Sequence, residues 1–288
     1  MTWEETIEFI RTKPEFAELV DKAYFDADLL VNIEKFKQSE EFIETLKLIK
    51  QYAPNAKKLL DIGSGNGISA ISLALSGYQV DTVEPDPSNT IGAGAIRKLK
   101  EHFKLDNINI YEAFAEEIKF PDCSFDIVFA RQCMHHAYDL NKFVAEAARV
   151  LKPGGLYITV RDHVIYNEDD KKWFLECHPL QKFYGGENAF THIEYTNAMK
   201  SAGLEMKLTL KHFDSVINFF PLTSHEKKIK ENEFELLVQS IGNRKISLLY
   251  KLPFIKKRID AAIKAKLKVP FKEENVPGRM YSYLALKK

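Results

Sequence analysis

The run Leu59-Leu60-Asp61-Ile62-Gly63-Ser64-Gly65-Asn66-Gly67 constrains this chain most, because an apolar strand-like segment enters a turn with glycine at three alternate positions. Without a Cβ the backbone can turn sharply there and lie against a ligand. Ile68 to Leu75 reads as a helix, so the turn sits at a helix N-terminus on a sheet edge, where nucleoside ligands dock. The spacing is not the dinucleotide pattern G-x-G-x-x-G/A, since Ile68 stands at the third position counted from Gly63 and Gly65. It reads D-x-G-x-G-x-G instead. A second strand, Gln79 to Val83, ends on Glu84, 19 residues after Gly65, the right distance for a carboxylate that accepts hydrogen bonds from a ribose diol.

The rest of the chain sets the frame. Five strand-like runs, 59–62, 79–83, 108–111, 125–130 and 155–160, alternate with helical segments, which predicts a doubly wound α/β fold around a parallel sheet. Lys152-Pro153-Gly154-Gly155 reads as a turn that stops the helix before the fifth strand. Thr191 and Glu194 have capping-box spacing and Gly203 suits a helix C-terminus, predicting a helix over 192–202. A sixth strand is expected near 205–213 and a seventh from Arg279 to Leu286. Residues 1–58 read as an N-terminal helical cap. Thr2 and Glu5 start its first helix, and Phe42, Ile43, Leu46, Leu48 and Ile49 form an apolar stripe. The expected organisation is therefore cap (1–58), core (59–213), helical basic insertion (214–276) and final strand (277–288).

Composition narrows the function classes. A length of 288 residues suits one α/β domain with additions, and 28% charged residues suit a globular protein in water. Lys plus Arg equal Asp plus Glu at 41 each, so overall charge gives a nucleic-acid partner no support. Cys123, Cys133 and Cys177 are odd in number and lack metal-like spacing, which fits a reducing compartment. The first residues lack the basic-then-apolar order of a secretory signal, and no apolar run approaches the roughly 20 residues of a membrane span, so a cytoplasmic location is expected.

Three further segments carry a resemblance. They are Ala115-Glu116-Glu117-Ile118-Lys119-Phe120-Pro121-Asp122-Cys123-Ser124-Phe125-Asp126-Ile127-Val128, then Met134-His135-His136, then Ala148-Arg149-Val150-Leu151-Lys152-Pro153-Gly154-Gly155. Taken in order with the glycine turn and Glu84, they make residues 57–162 resemble the class I S-adenosylmethionine-dependent methyltransferases, within them the large subgroup (type 11-like) that acts on small molecules. The resemblance implies a Rossmann-like seven-stranded sheet whose last strand is antiparallel. It also implies S-adenosyl-L-methionine as cofactor, with contacts from Asp61, Gly63, Ser64, Gly65, Gly67, Glu84, Pro85, Phe114, Ala115, Glu116, Ala130 and Arg131. Phe114 is a departure, because the family often has an acidic residue there to meet the adenine amino group. An aromatic face could stack on adenine instead.

Methyl transfer from a sulfonium is an in-line displacement, so alignment and water exclusion are the protein's main contribution and no metal is required. None is expected here, since the histidines lack ligand spacing such as H-x-x-x-H. An alcohol acceptor needs a base, and the candidates are His135 or His136 after the fourth strand and Asp162 or His163 after the fifth. One of the adjacent His pair is expected to face the protein and pack. The loop Cys177 to Phe190 lies between elements and holds His178, Tyr184 and Glu187 around Gly185-Gly186. It is either one wall of the acceptor pocket or a packed lead-in to the next helix. Tyr24, Phe25, Phe36 and Phe42 from the cap are candidates for a lid over cofactor and acceptor, Tyr24 and Phe36 for acceptor contact, or else core, where aromatics at helical spacing more often lie.

Between residues 225 and 272, 13 Lys/Arg stand against 5 Asp/Glu. Within this stretch 254–268 has helical amphipathic spacing, which suits either weak contact with an anionic membrane surface or a helix packed on the domain with a solvated charged face. The reading that results is a methyltransferase acting on oxygen or nitrogen of a small-molecule acceptor. Its rivals are a membrane-surface C-methyltransferase of the quinone or lipid type and a non-catalytic S-adenosylmethionine-binding protein. The residues do not specify an oligomeric state.

Overall fold

In the computed structural model, residues 1–232, 253–254 and 272–288 are described. Strands β1 (Lys58–Ile62), β2 (Gln79–Val83), β3 (Ile108–Tyr111), β4 (Phe125–Arg131), β5 (Leu151–Ile165), β6 (Phe190–Thr191), β7 (Leu204–Leu210) and β8 (Met280–Lys287) share a sheet of order β3-β2-β1-β4-β5-β8-β7, with the two-residue β6 beside β5. β1 to β5 run parallel, and β8 is antiparallel to both of its neighbours. The seven-stranded path and antiparallel last strand are those expected.

Successive residues of the central strands enter opposite cores. Leu59, Ile127, Phe129, Leu156 and Ile158 join one buried cluster, and Leu60, Ile62, Val128, Ala130 and Tyr157 join the other. Both faces of the parallel sheet are therefore covered, as expected when helices cross over both sides of it. The first cluster is completed by α3 (Leu29–Gln38), α4 (Glu40–Tyr52), α5 (Ile68–Leu75) and α6 (Ala93–Phe103), the second by α7 (Leu140–Val150) and α10 (His192–Ser201). α5 is buried from Ile68 to Ala74, which matches its nearly all-apolar sequence. Between α7 and α10 lie α8 (Glu168–Cys177) and α9 (Gln181–Tyr184), and α11 (Val216–Phe219) follows β7. At the N-terminus, α1 (Trp3–Arg11) begins at the Thr2–Glu5 capping box, and α2 (Ala17–Lys22) follows it. α10 begins at the Thr191–Glu194 box.

Local departures have physical causes. β5 starts at Leu151, paired with Phe125, so Lys152-Pro153-Gly154-Gly155 lies in the strand as an irregularity and not in a free turn. The strand also continues past Val160, which puts Asp162 and His163 within it. Between Thr159 and Asp162 the register against β8 slips by one residue, and Arg161 has φ +64°. That bulge interrupts the alternation of β5 and re-aims Asp162 and His163. Ile43 is 45% exposed, so the apolar stripe of α4 is narrower than its sequence suggests. The segment 177–190 contains α9 and β6. Of the expected insertion, residues 233–252 and 255–271, and with them most of the 254–268 amphipathic stretch, lie outside the described residues. Among the described residues, no helix is long and apolar enough to cross a membrane.

Candidate functional site

The strand order reverses between β1 and β4, which opens a crevice at their carboxyl ends. β1 delivers residues 63–67 there and β4 delivers 132–136. Gly63 has φ +67°, and a Cβ on it would stand 2.2 Å from Cys133 Sγ, so glycine is required on both counts. Gly65, at φ +55°, donates its N–H to Glu84 Oε2 at 2.7 Å, and Asp86 N–H donates to Glu84 Oε1 at 3.0 Å. Burial pushes the Glu84 carboxyl up to about 7 despite these two donors. Each Glu84 oxygen accepts one backbone N–H and keeps a lone pair for a further donor. Asp61 lies beneath the turn, fully buried, and its Oδ2 accepts from the Ser64 and Ser69 hydroxyls. Burial raises it to about 6. Asp61 thus stiffens the turn from below.

The other residues assigned to the cofactor by resemblance are placed unevenly. Ser64, Pro85 and Arg131 line the cleft with Gly63, Gly65 and Glu84. Gly67 starts α5 at φ +88° against Ile96, and Ala130 is buried in the sheet. Phe114 is 53% exposed, its ring against Tyr138 at 6.1 Å, and Glu116 accepts the Tyr138 N–H at 2.9 Å. Tyr138 lines the cleft, so this group borders it through that residue. Arg131 makes a two-pronged pair with Glu41 of α4, at 2.6 and 3.2 Å, and sits over the rings of Tyr24 and Phe36.

The histidines gather at the ends of β4 and β5. His135 is buried, and its Nδ1 lies 3.1 Å from Asp162 Oδ1, which also accepts the His135 backbone N–H at 3.1 Å. Burial raises Asp162 to about 7, opposed by that backbone donor. Asp162 is fully buried behind His135 and does not line the cleft. Of the expected bases it therefore stands behind His135, which does line the cleft. Burial, with His136 and His163 nearby, holds His135 well below the ordinary imidazole value. His163 Nδ1 bonds Gly278 O at 2.8 Å, and burial lowers it to about 4. His136 is exposed, lines the cleft, and holds Gly186 O at 3.1 Å through Nδ1. The adjacent pair thus divides into one inner and one outer ring.

The loop after α8 reaches the same place. Glu187 accepts the Tyr184 hydroxyl, lies 3.5 Å from His178 Nε2 and 3.8 Å from His135 Nε2, and all four residues line the cleft. Burial and the Glu187 charge push the Tyr184 hydroxyl up. α1 covers this loop, with Trp3 against Tyr184 at 4.6 Å and Phe9 against Phe183 at 5.3 Å. Glycine turn, Glu84, histidines and loop open into one cavity of about 1120 Å³. Tyr24 and Phe36 do not line it. They are buried together at 5.4 Å in the core beneath Arg131, the core alternative of the expectation, while Phe25 of the same set lines the cleft.

Sequence reasoning missed Glu41, Gly278 and Trp3. They come from α4, from the segment before β8 and from α1, and only tertiary packing brings them here; no local motif marks them.

Residues 60–159 match the family model described as Methyltransferase domain. Over 136 residues the chain is 35% identical to the uncharacterized methyltransferase YcgJ of Bacillus subtilis (strain 168), which takes in 46% of this chain and 52% of that protein. Over 101 residues it is 37% identical to the ubiquinone biosynthesis O-methyltransferase of Bradyrhizobium sp. (strain ORS 278), 35% of this chain and 38% of that one. The chain thus spans about half or less of the length of these curated relatives. The crystal structure of the Bacillus subtilis YcgJ protein superposes with a TM-score of 0.53 at 18% identity, covering 85% of this chain and 99% of that one, a likeness of fold.

Proposed function

We propose that this chain is a class I S-adenosylmethionine-dependent methyltransferase that methylates an oxygen or nitrogen of a small-molecule acceptor, a reading supported by the methyltransferase-domain match over residues 60–159. What supports the reading is one observation: the glycine turn with Glu84 and the histidine cluster open into a single cavity of about 1120 Å³, large enough for a nucleoside and a small acceptor.

The residues present fit the cofactor. Gly63 and Gly65 leave bare backbone for its methionine part, and the free lone pairs of Glu84 suit two ribose hydroxyls. Ser64, Pro85 and Arg131 border the same half, and the half-exposed Phe114 stands against the cleft-lining Tyr138. When bound, S-adenosylmethionine supplies an electrophilic methyl on a sulfonium.

The chain's own residues then orient and deprotonate the acceptor. His136 is the base in this reading. A carbonyl can only accept, so the contact with Gly186 O puts the proton on Nδ1 and leaves the Nε2 lone pair for an acceptor O–H or N–H. His135, held by Asp162, packs behind it with ring centroids 4.1 Å apart and fixes its position. Tyr184, Glu187 and α1 close the far wall and exclude water.

Calorimetry tests the reading. S-adenosylmethionine and S-adenosylhomocysteine should bind one per chain and NAD should not. Binding of NAD with no response to S-adenosylhomocysteine would overturn it.

A further inference from the structure

His135, His163 and Glu187 come from three separate segments, yet their ligating atoms lie within 4.8 Å of one another. Their hydrogen bonds fix where the lone pairs are. His163 Nδ1 donates to Gly278 O at 2.8 Å, which leaves Nε2 as its ligating nitrogen. His135 Nδ1 lies 3.1 Å from Asp162 Oδ1, and donation to that carboxylate makes Nε2, 3.8 Å from Glu187 Oε2, its ligating nitrogen. Glu187 Oε1 is engaged by the Tyr184 hydroxyl. Its Oε2 is buried, on a side chain only 6% exposed, with no hydrogen-bond partner.

Two imidazole nitrogens and one carboxylate oxygen therefore converge, and that buried oxygen has no hydrogen-bond partner. Such an arrangement is costly unless a cation sits in it. We propose that His135, His163 and Glu187 bind one divalent first-row transition ion.

The donor set chooses the class of ion. Two neutral imidazoles and one carboxylate suit zinc or iron(II), whereas magnesium and calcium take oxygen ligands. The second layer has the form that metal-bound histidines use, a carboxylate behind one ring and a backbone carbonyl behind the other. Ligands about 2.1 Å from an ion stand roughly 3–3.5 Å apart, so the side chains close by about an ångström on binding. Gly185-Gly186, with φ +70° at the first, lets the loop bearing Glu187 follow. Three protein ligands leave positions open toward the cleft. Resting on the methyltransferase reading, those positions take an acceptor that coordinates through an ionisable hydroxyl, whose acidity the ion raises.

Cobalt(II) is the probe. The full chain, stripped with a chelator, should take up one Co²⁺ with visible d–d absorption, and Zn²⁺ should displace it. Glu187→Gln and His163→Gln should each weaken Co²⁺ binding at least tenfold, with S-adenosylhomocysteine affinity unchanged in the same samples. If either variant fails to fold, the wild-type Co²⁺ complex should still show two paramagnetically shifted, exchangeable imidazole N–H resonances. Absence of stoichiometric Co²⁺ uptake, uptake that folded variants leave unaltered, or a complex without those two resonances would overturn the site. Loss of S-adenosylhomocysteine binding by the wild type would instead count against the methyltransferase reading.

Discussion

Residues 61–69 and 84–86 form one half of the cleft, and His135, His136, His163, His178 and Glu187 form the other. They differ in how their polar groups are held. In the glycine half, backbone N–H groups meet Glu84, and hydroxyls three and eight residues away meet Asp61. In the histidine half, side chains meet one another and the Gly186 and Gly278 carbonyls, and Glu187 Oε2 and His178 Nδ1 are left buried without partners, as Asp61 Oδ1 is in the glycine half. A cradle made of backbone is preorganised and tolerates little change. A cluster of side chains re-aims with each substitution, as suits the half that must recognise one particular acceptor.

The largest expected effect tests whether the halves are separable. His136→Gln should lower methyl transfer by about 100-fold or more, the usual worth of a general base, while S-adenosylhomocysteine affinity stays constant. Acceptor-dependent release of S-adenosylhomocysteine gives the rate and calorimetry the affinity. Equal losses in both would mean that the two halves act as one unit; an unchanged rate would move the base to another group.

Glu84→Gln probes the other half. The neutral amide weakens hydrogen bonds that a carboxylate would accept, at a cost of about 1.5–3 kcal/mol, or roughly 10- to 150-fold in S-adenosylhomocysteine affinity. Acidity sharpens the comparison. Burial raises Glu84 from 4.5 to about 7, so the stability this group confers is complete below pH 4.5 and is lost as pH rises through 7. Ribose hydroxyls favour the carboxylate, so cofactor affinity should fall as pH drops below 7. Glu84→Gln should flatten both dependences, in thermal melts of the free protein and in binding isotherms. A variant as pH-dependent as the wild type would place the titration elsewhere.

The same contrast explains what the sequence made legible. The glycine half lies in two short segments whose residue types carry their own geometry. Gly63 and Gly65 have the positive φ their identity suggests, and Glu84 closes on the turn 19 residues earlier. The parallel core was legible because five strand-like runs alternate with helical segments, which implies parallel strands joined by crossovers. The histidine half was legible only as a set of candidates. A bulge at Arg161 decides where Asp162 and His163 point, and nothing in Thr159-Val160-Arg161-Asp162 announces it. Tyr24 and Phe36 look like a lid in sequence but pack beneath Arg131, because Glu41, 90 residues away from it, fixes that guanidinium above them.

Tyr184→Phe should give the smallest effect, and it separates wall from scaffold within the histidine half. The change removes one hydroxyl whose partner is Glu187 and leaves the ring against Trp3 at 4.6 Å, so packing of α1 on the loop should persist. Were that bond a brace between loop and core, the loss would appear as a lower melting temperature with normal kinetics. The Tyr184 ring lines the cleft and its hydroxyl orients Glu187 toward His135 and His178, so the expected result is a several-fold higher acceptor KM at nearly constant melting temperature and S-adenosylhomocysteine affinity. A destabilised variant with unchanged KM would assign the loop to the scaffold and leave acceptor recognition to the histidines alone.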